Sequence, residues 1–159
     1  MPVKKLKEYL DSLNVKYVTI SHPLAYTSQQ TASVTHIHGK ELAKTVMVKI
    51  DGKMAMVVLP ASFKVDLEMV KRAAGAGAVA LASEAEFQNM FPDCDPGAMP
   101  PFGNLYGMDV YAEEKLAEDD EIAFNAGSHL ELIKLTYNDF VRLVKPRIGR
   151  YTTSKVPAF

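Results

Sequence analysis

The sequence predicts an α+β protein, in which a mixed, mostly antiparallel sheet curls toward a barrel with short helices around it. Three observations predict this class. Two hairpin patterns stand out, one around Asp51-Gly52 and one around Ala126-Gly127-Ser128. Short helical patterns with recognisable caps fall singly between the strands, and no regular strand-helix-strand rhythm marks a parallel sheet. At 159 residues the chain fits one domain over residues 1–159 with room for a substantial core, and only the tail from about residue 146 reads as loosely held.

Taken in order, Val3, Leu6, Leu10 and Leu13 recur at helical spacing, and Asn14 is a suitable left-handed stop. A short strand follows from Val15 to Ile20. Thr27-Ser28-Gln29-Gln30 matches a capping box and places a helix from Ser28 to Val34. Ala43 to Ile50 reads as a strand, Asp51-Gly52 as a type I′ turn and Lys53 to Leu59 as the returning strand. Asp66 caps a helix that Gly75 ends, and Ala78 to Leu81 is a short buried strand. Ser83-Glu84-Ala85-Glu86 opens a helix that must stop before Pro92. Leu105 to Tyr111 reads as a strand, Glu121 to Asn125 and His129 to Leu135 as an antiparallel pair, and Thr136 as the cap of a last helix from Tyr137 to Val144.

Composition narrows the function classes. With 48% hydrophobic and 23% charged residues the chain belongs with ordinary soluble proteins, and its apolar runs are too short for a membrane helix. The absence of a signal-peptide pattern and a single cysteine indicate the cytoplasm. Cys94 lies in Pro92-Asp93-Cys94-Asp95-Pro96, where two carboxylates disfavour the thiolate, so it is a poor nucleophile. Net charge is −1, yet Lys4, Lys5 and Lys7 cluster at one end, and Arg142, Lys145, Arg147, Arg150 and Lys155 follow one another without an acid at the other. That is a basic patch for the end of an RNA, or simply solvated charge. No nucleotide loop, serine-hydrolase elbow or zincin pair occurs, and His36 and His38 lack partners for a zinc site. Neither a metal nor an organic cofactor is expected.

Three places carry chemistry. Gly97-Ala98-Met99-Pro100-Pro101-Phe102-Gly103 is stiff at its prolines and permissive at its glycines, either a rigid turn or a loop presenting its amides to a ligand oxygen. Local donors are the amides of Ala98, Met99, Phe102, Gly103 and Asn104. Alternation along Ala43 to Ile50 puts Lys44 on the face of Val46, Val48 and Ile50, with Lys49 opposite. An ammonium there either snorkels from a strand end or serves a cleft. His129 follows Asn125-Ala126-Gly127-Ser128 and opens a strand, as a general acid/base, a clamp or a half-buried imidazole.

The ordered set of His22-Pro23 with Ala25 and Thr27, Ala43-Lys44-Thr45, Gly97 to Gly103, and Phe124 to His129 resembles the YbaK/prolyl-tRNA-synthetase-associated editing domain family over residues 22 to 144. The resemblance implies hydrolysis in trans of the ester of a mischarged aminoacyl-tRNA, without cofactor, with the tRNA acceptor end as partner and a synthetase as a possible second one. It makes Lys44 the residue near the terminal adenosine and its phosphate. The loop, with Gly97, Met99, Pro100, Pro101, Phe102 and Gly103, would hold the aminoacyl carbonyl and a water. His129 matches a position that is histidine notably in alanine-type editors. His22, Ala25, Tyr26, Thr27, Asn125, Gly127 and Ser128 complete the implied site, Met99, Phe102, Ala25 and Tyr26 being candidate walls of a small pocket. An alanine-sized substrate is the first expectation. The rival reading is a noncatalytic tRNA- or synthetase-binding module of the same fold.

Overall fold

The computed structural model describes residues 4–21, 41–95 and 97–155. Helix α1 (Lys4–Ser12) buries Leu6 and Leu10 completely and ends at Asn14, whose φ of 54° takes the left-handed stop. Strand β1 (Val18–Ser21) follows, beginning three residues later than the sequence predicts. The expected helix from Ser28 to Val34 lies outside the described residues. Strands β2 (Ala43–Ile50) and β3 (Lys53–Pro60) pair without a slip from Ala43↔Pro60 to Ile50↔Lys53. Asp51 and Gly52 both have positive φ, as a type I′ turn requires.

Strand β4 (Phe63–Val65) leads to helix α2 (Leu67–Ala74), where the Asp66 carboxylate accepts from the amides of Glu68 and Met69, and Gly75 closes the helix at φ 63°. Strand β5 (Val79–Leu81) is not buried as expected: it is an edge strand, and Leu81 is 56% exposed. Helix α3 (Glu84–Phe87) tightens into a 3₁₀ turn at Gln88–Met90. The strand expected from Leu105 is another departure. Gly103–Tyr106 forms a 3₁₀ turn closed by the Met108 amide donating to the Gly103 carbonyl at 2.9 Å, Gly107 reverses the chain at φ 69°, and strand β6 begins only at Asp109, running to Glu113. A further 3₁₀ segment, Glu114–Glu118, precedes β7 (Glu121–Asn125), β8 (Glu131–Thr136) and helix α4 (Tyr137–Val144), whose cap is the Thr136 hydroxyl accepting from the Asp139 amide.

Between residues 147 and 155 the chain is built into sheets rather than loosely held. Strand β9 (Arg147–Gly149) pairs with β6, and β10 (Thr152–Lys155) with β4. The fastening is the fully buried Glu113. Its Oε1 accepts from the Tyr151 and Thr152 amides and from the Thr152 hydroxyl, while Oε2 accepts from the Lys115 amide.

The sheet does not curl into a barrel. Among the described residues the strands form three separate open sheets, ordered β1-β8-β7, β10-β4 and β5-β2-β3-β6-β9. The first two are antiparallel, whereas the five-stranded sheet is antiparallel on the β5 side and parallel where β6 joins β3 and β9 joins β6. A barrel needs one continuous hydrogen-bonded circuit. Here, among the described residues, the two larger sheets touch edge to edge only at an isolated parallel bridge, Leu42 with Ala123, where the Ala123 amide donates to the Glu41 carbonyl at 3.0 Å.

Side-chain alternation along β2 divides the interior. Ala43 and Met47 join Met56, Val58, Phe102, Phe124, Ile133 and Phe140 in the main core between the two larger sheets, which Leu6 and Leu10 of α1 close. Val48 points the other way, with Val57, Leu59, Val70, Tyr111 and Tyr151 in a second core under α2. Each fully buried Leu or Phe contributes about 1.5–3 kcal/mol of transfer free energy, so both faces of this sheet are committed to packing.

Candidate active site

One edge of β2 is paired with β3 along its whole length. Its other edge meets β5 at Val48 to Ile50 and β7 only through the bridge at Leu42. Between those contacts, among the described residues, this edge has no strand partner, and Lys44 lies in that notch. Leu42 and Ala123 share a small cluster with Ala61 and Leu132, while Ala43 and Phe124 both turn into the main core. Strand alternation therefore places the next pair, Lys44 and Asn125, on one face across the notch.

Both residues carry unspent polar groups. Burial pushes the Lys44 ammonium pKa below that of an ordinary lysine, and no carboxylate among the described residues pairs with it. The Lys134 ammonium, by contrast, is held above its usual value by Glu41 first, with Glu121 contributing. On the other side of the notch the Oδ1 of Asn125 is buried and meets no donor among the described residues.

The two predicted loops are laced together by backbone. The Asp95 amide donates to the Gly127 carbonyl at 2.8 Å, the Gly127 amide to the Ala98 carbonyl at 2.9 Å, and the Ala98 amide to the Asp95 carbonyl at 3.0 Å. Asp95 also reaches across with its side chain, accepting from the His129 amide at 3.4 Å. His129 does not open a strand as the sequence suggests. It lies in the turn before β8, 7% exposed, with its ring against Gly97, where a Cβ would stand 3.6 Å from its Cε1. The Ser128 hydroxyl shapes that turn by accepting from the Leu130 amide.

Gly97 has φ 81°, as a permissive end of the loop should. Gly103 is required for a different reason. A Cβ there would stand 2.6 Å from the Val110 Cγ2 and 3.0 Å from the Met108 carbonyl oxygen. Phe102 is fully buried among the rings of Tyr9, Phe124 and Phe140, and Met99 belongs to the same core. These side chains anchor the loop in the interior. Of the five expected donors, Ala98 is spent on Asp95. The amides of Met99, Phe102, Gly103 and Asn104 find no backbone acceptor among the described residues.

His22, Ala25, Tyr26 and Thr27 lie outside the described residues. Sequence reasoning missed Asp95, although an Asp just before Pro-Gly is a turn signal, and it missed the Leu42–Ala123 bridge. Cys94 is unsuited to attack: burial raises its thiol pKa and Asp93 and Asp95 add to this, against an opposing contact with the Tyr106 hydroxyl. No group of three or more potential metal ligands occurs among the described residues, and no helix there is long and apolar enough to cross a membrane. A cleft of about 530 Å³ lined by Lys115, Arg150 and Thr152 with four neighbours includes none of the candidate site residues.

The family model described as aminoacyl-tRNA editing domain matches residues 22–143, spanning the notch and both loops. The chain belongs to that family. It is accordingly an editing hydrolase acting on mischarged aminoacyl-tRNA. Curated relatives from Escherichia coli K12 and Escherichia coli O157:H7, both described as the multifunctional Ser/Thr-tRNA deacylase ProXp-y, are 32% identical over 127 residues, 75% of this chain and of theirs. Among solved structures, a candidate trans-editing enzyme for prolyl-tRNA synthetase superposes with a TM-score of 0.82 at 15% identity, covering 96% of this chain and 97% of the other. A hypothetical protein of known crystal structure superposes at 0.85 and 16% identity, covering 94% of this chain and all of the other. At these identities the structures support the shared fold.

Proposed function

We propose that this protein removes serine, threonine or another small amino acid from mischarged tRNA, using Lys44 and the two laced loops. The observation that carries the reading is the half-buried Lys44 ammonium, without a carboxylate partner among the described residues, in a chain whose family acts on an ester with polyanionic RNA attached. A phosphate of the acceptor end compensates that ammonium, as its desolvation demands. An aminoacyl ester is already activated, so positioning and oxyanion stabilisation suffice without a protein nucleophile.

In this reading the open amides of the Gly97 to Gly103 loop receive the carbonyl oxygen as a water adds to the carbonyl carbon. The ester C–O bond then breaks toward the ribose, whose oxygen takes up a proton originating from that water. Free amino acid and uncharged tRNA leave. His129, held against Gly97 and pinned by Asp95, borders this position as an acid/base or a clamp. Support for the side-chain class comes from the relatives' description as Ser/Thr-tRNA deacylases, which displaces alanine as the first expectation.

A deacylation panel of seryl-, threonyl-, alanyl- and cysteinyl-tRNA tests this. We expect hydrolysis of the first two, lost in Lys44→Ala. Salt-sensitive tRNA binding without turnover on any substrate would instead support the noncatalytic module.

A further inference from the structure

Buried side-chain atoms without a hydrogen-bond partner occur among the described residues at Ser62 Oγ, Asp119 Oδ2 and Asn125 Oδ1. Only Asn125 belongs to the candidate site. A buried amide oxygen without a donor is costly, and native proteins retain few of them. One that persists beside the laced loops is accounted for if its donor arrives with the substrate.

An aminoacyl ester of tRNA offers three kinds of donor: the α-ammonium, a ribose hydroxyl and, in some amino acids, a side-chain hydroxyl. Lys44 shares the face of Asn125 and has no carboxylate partner among the described residues, so a second ammonium brought alongside would be repelled in a partly desolvated setting. A neutral hydroxyl is not. The surroundings discriminate further. Asn125 is paired in register with Leu132 and alternates onto the side of Ala123 and Leu132, which cluster with Leu42 and Ala61. An acceptor at the border of this small, packed apolar cluster suits a carbon bearing a hydroxyl and at most a methyl better than it suits a polyhydroxylated sugar.

We propose that Asn125 is the specificity-determining residue of this enzyme, its Oδ1 accepting a hydrogen bond from the side-chain hydroxyl of a seryl or threonyl ester. The inference rests on the deacylase reading above.

The experiment measures kcat/KM on one tRNA charged with serine, alanine, threonine or 2-aminobutyrate. Alanine is serine without its hydroxyl, and 2-aminobutyrate is threonine without its own. Wild type should favour each hydroxylated member of a pair, and Asn125→Leu, which keeps the branched shape but removes the acceptor, should shrink both ratios by about tenfold. Equal hydrolysis of serine and alanine esters by wild type would overturn the proposal without needing the variant. So would an equal loss on all four substrates by an Asn125→Leu protein of normal melting temperature, since the acceptor would then serve the ammonium or the ribose. Inactivity of the wild type on every ester would sink the deacylase reading itself, an outcome distinct from active but hydroxyl-blind turnover.

Discussion

The His129 ring lies against the backbone of Gly97, so close that a Cβ on the glycine would stand 3.6 Å from Cε1. Gly97 also holds φ at 81°, a region that costs L-residues about 1 kcal/mol or more. Gly97→Ala therefore brings backbone strain, and Gly97→Val adds a collision with the imidazole. Thermal melts should show a modest loss for alanine, while kcat/KM on seryl-tRNA should fall further for valine than the loss of folded protein explains. Full activity in Gly97→Val would mean that the His129 position is irrelevant to turnover.

Gly103 answers to a different constraint, the space between Val110 and the Met108 carbonyl. Gly103→Ala should lower stability by about 1–3 kcal/mol through overpacking, read as a lower denaturant midpoint. Adding Val110→Ala relieves the shorter contact but not the one to backbone, so the double variant should recover part of the loss relative to the sum of the singles. Strict additivity would show that the two positions do not interfere.

The legible parts of this fold were those with local causes. Asp51-Gly52 dictated its hairpin through positive φ, and Asp66 with Gly75 bounded α2 by satisfying helix ends. The departures come from hydrogen bonds that composition does not announce, one of them local and the other distant in sequence. Leu105 and Tyr106 have strand-like composition, but they follow Gly103, whose carbonyl captures the Gly107 and Met108 amides and winds the segment into a 3₁₀ turn. Residues after 146 look unanchored because their anchor, Glu113, is more than thirty residues away in sequence. For the site, alternation gave the face of Lys44, and the two loops stood out by composition, one through its glycines and prolines and the other through a glycine among small polar residues. Nothing local revealed that Leu42 bridges Ala123 and so sets Lys44 opposite Asn125.

Glu113 makes the C-terminal strands sensitive to acid. Burial pushes its carboxyl pKa up, but the hydrogen bonds from Tyr151, Lys115 and Thr152 outweigh this and hold it below the usual value. A carboxyl with a depressed folded pKa contributes stability that is present above its unfolded value and lost as pH falls through the folded one. The contribution is therefore intact at neutral pH and fades below about pH 4. Glu113→Ala, which orphans the buried donors, should cost about 3 kcal/mol or more at neutral pH and flatten the acid limb of the stability profile. Limited proteolysis should then cut between residues 146 and 155 before the rest of the chain. Unchanged protection of that segment would show that strand pairing alone holds it.

Lys44 should display a trade between activity and stability. Its pKa is lowered by desolvation, so at neutral pH the folded state carries a charge it would rather shed, and stability rises toward alkaline pH as that charge is lost. Lys44→Met keeps the length and apolar stem while removing the ammonium. The variant should melt higher than wild type, by an amount equivalent to about 1 kcal/mol, and should no longer gain from alkaline pH at this site. Deacylation should drop by two orders of magnitude or more if the ammonium meets phosphate or the departing ribose oxygen in the transition state. The wild-type rate should also decline on the alkaline side at a pH below that of an exposed lysine, a limb absent from the residual rate of Lys44→Met. A variant less stable than wild type would mean that an unseen partner already compensates Lys44 in the free protein, and the notch would then be a structural ion pair instead of a phosphate site.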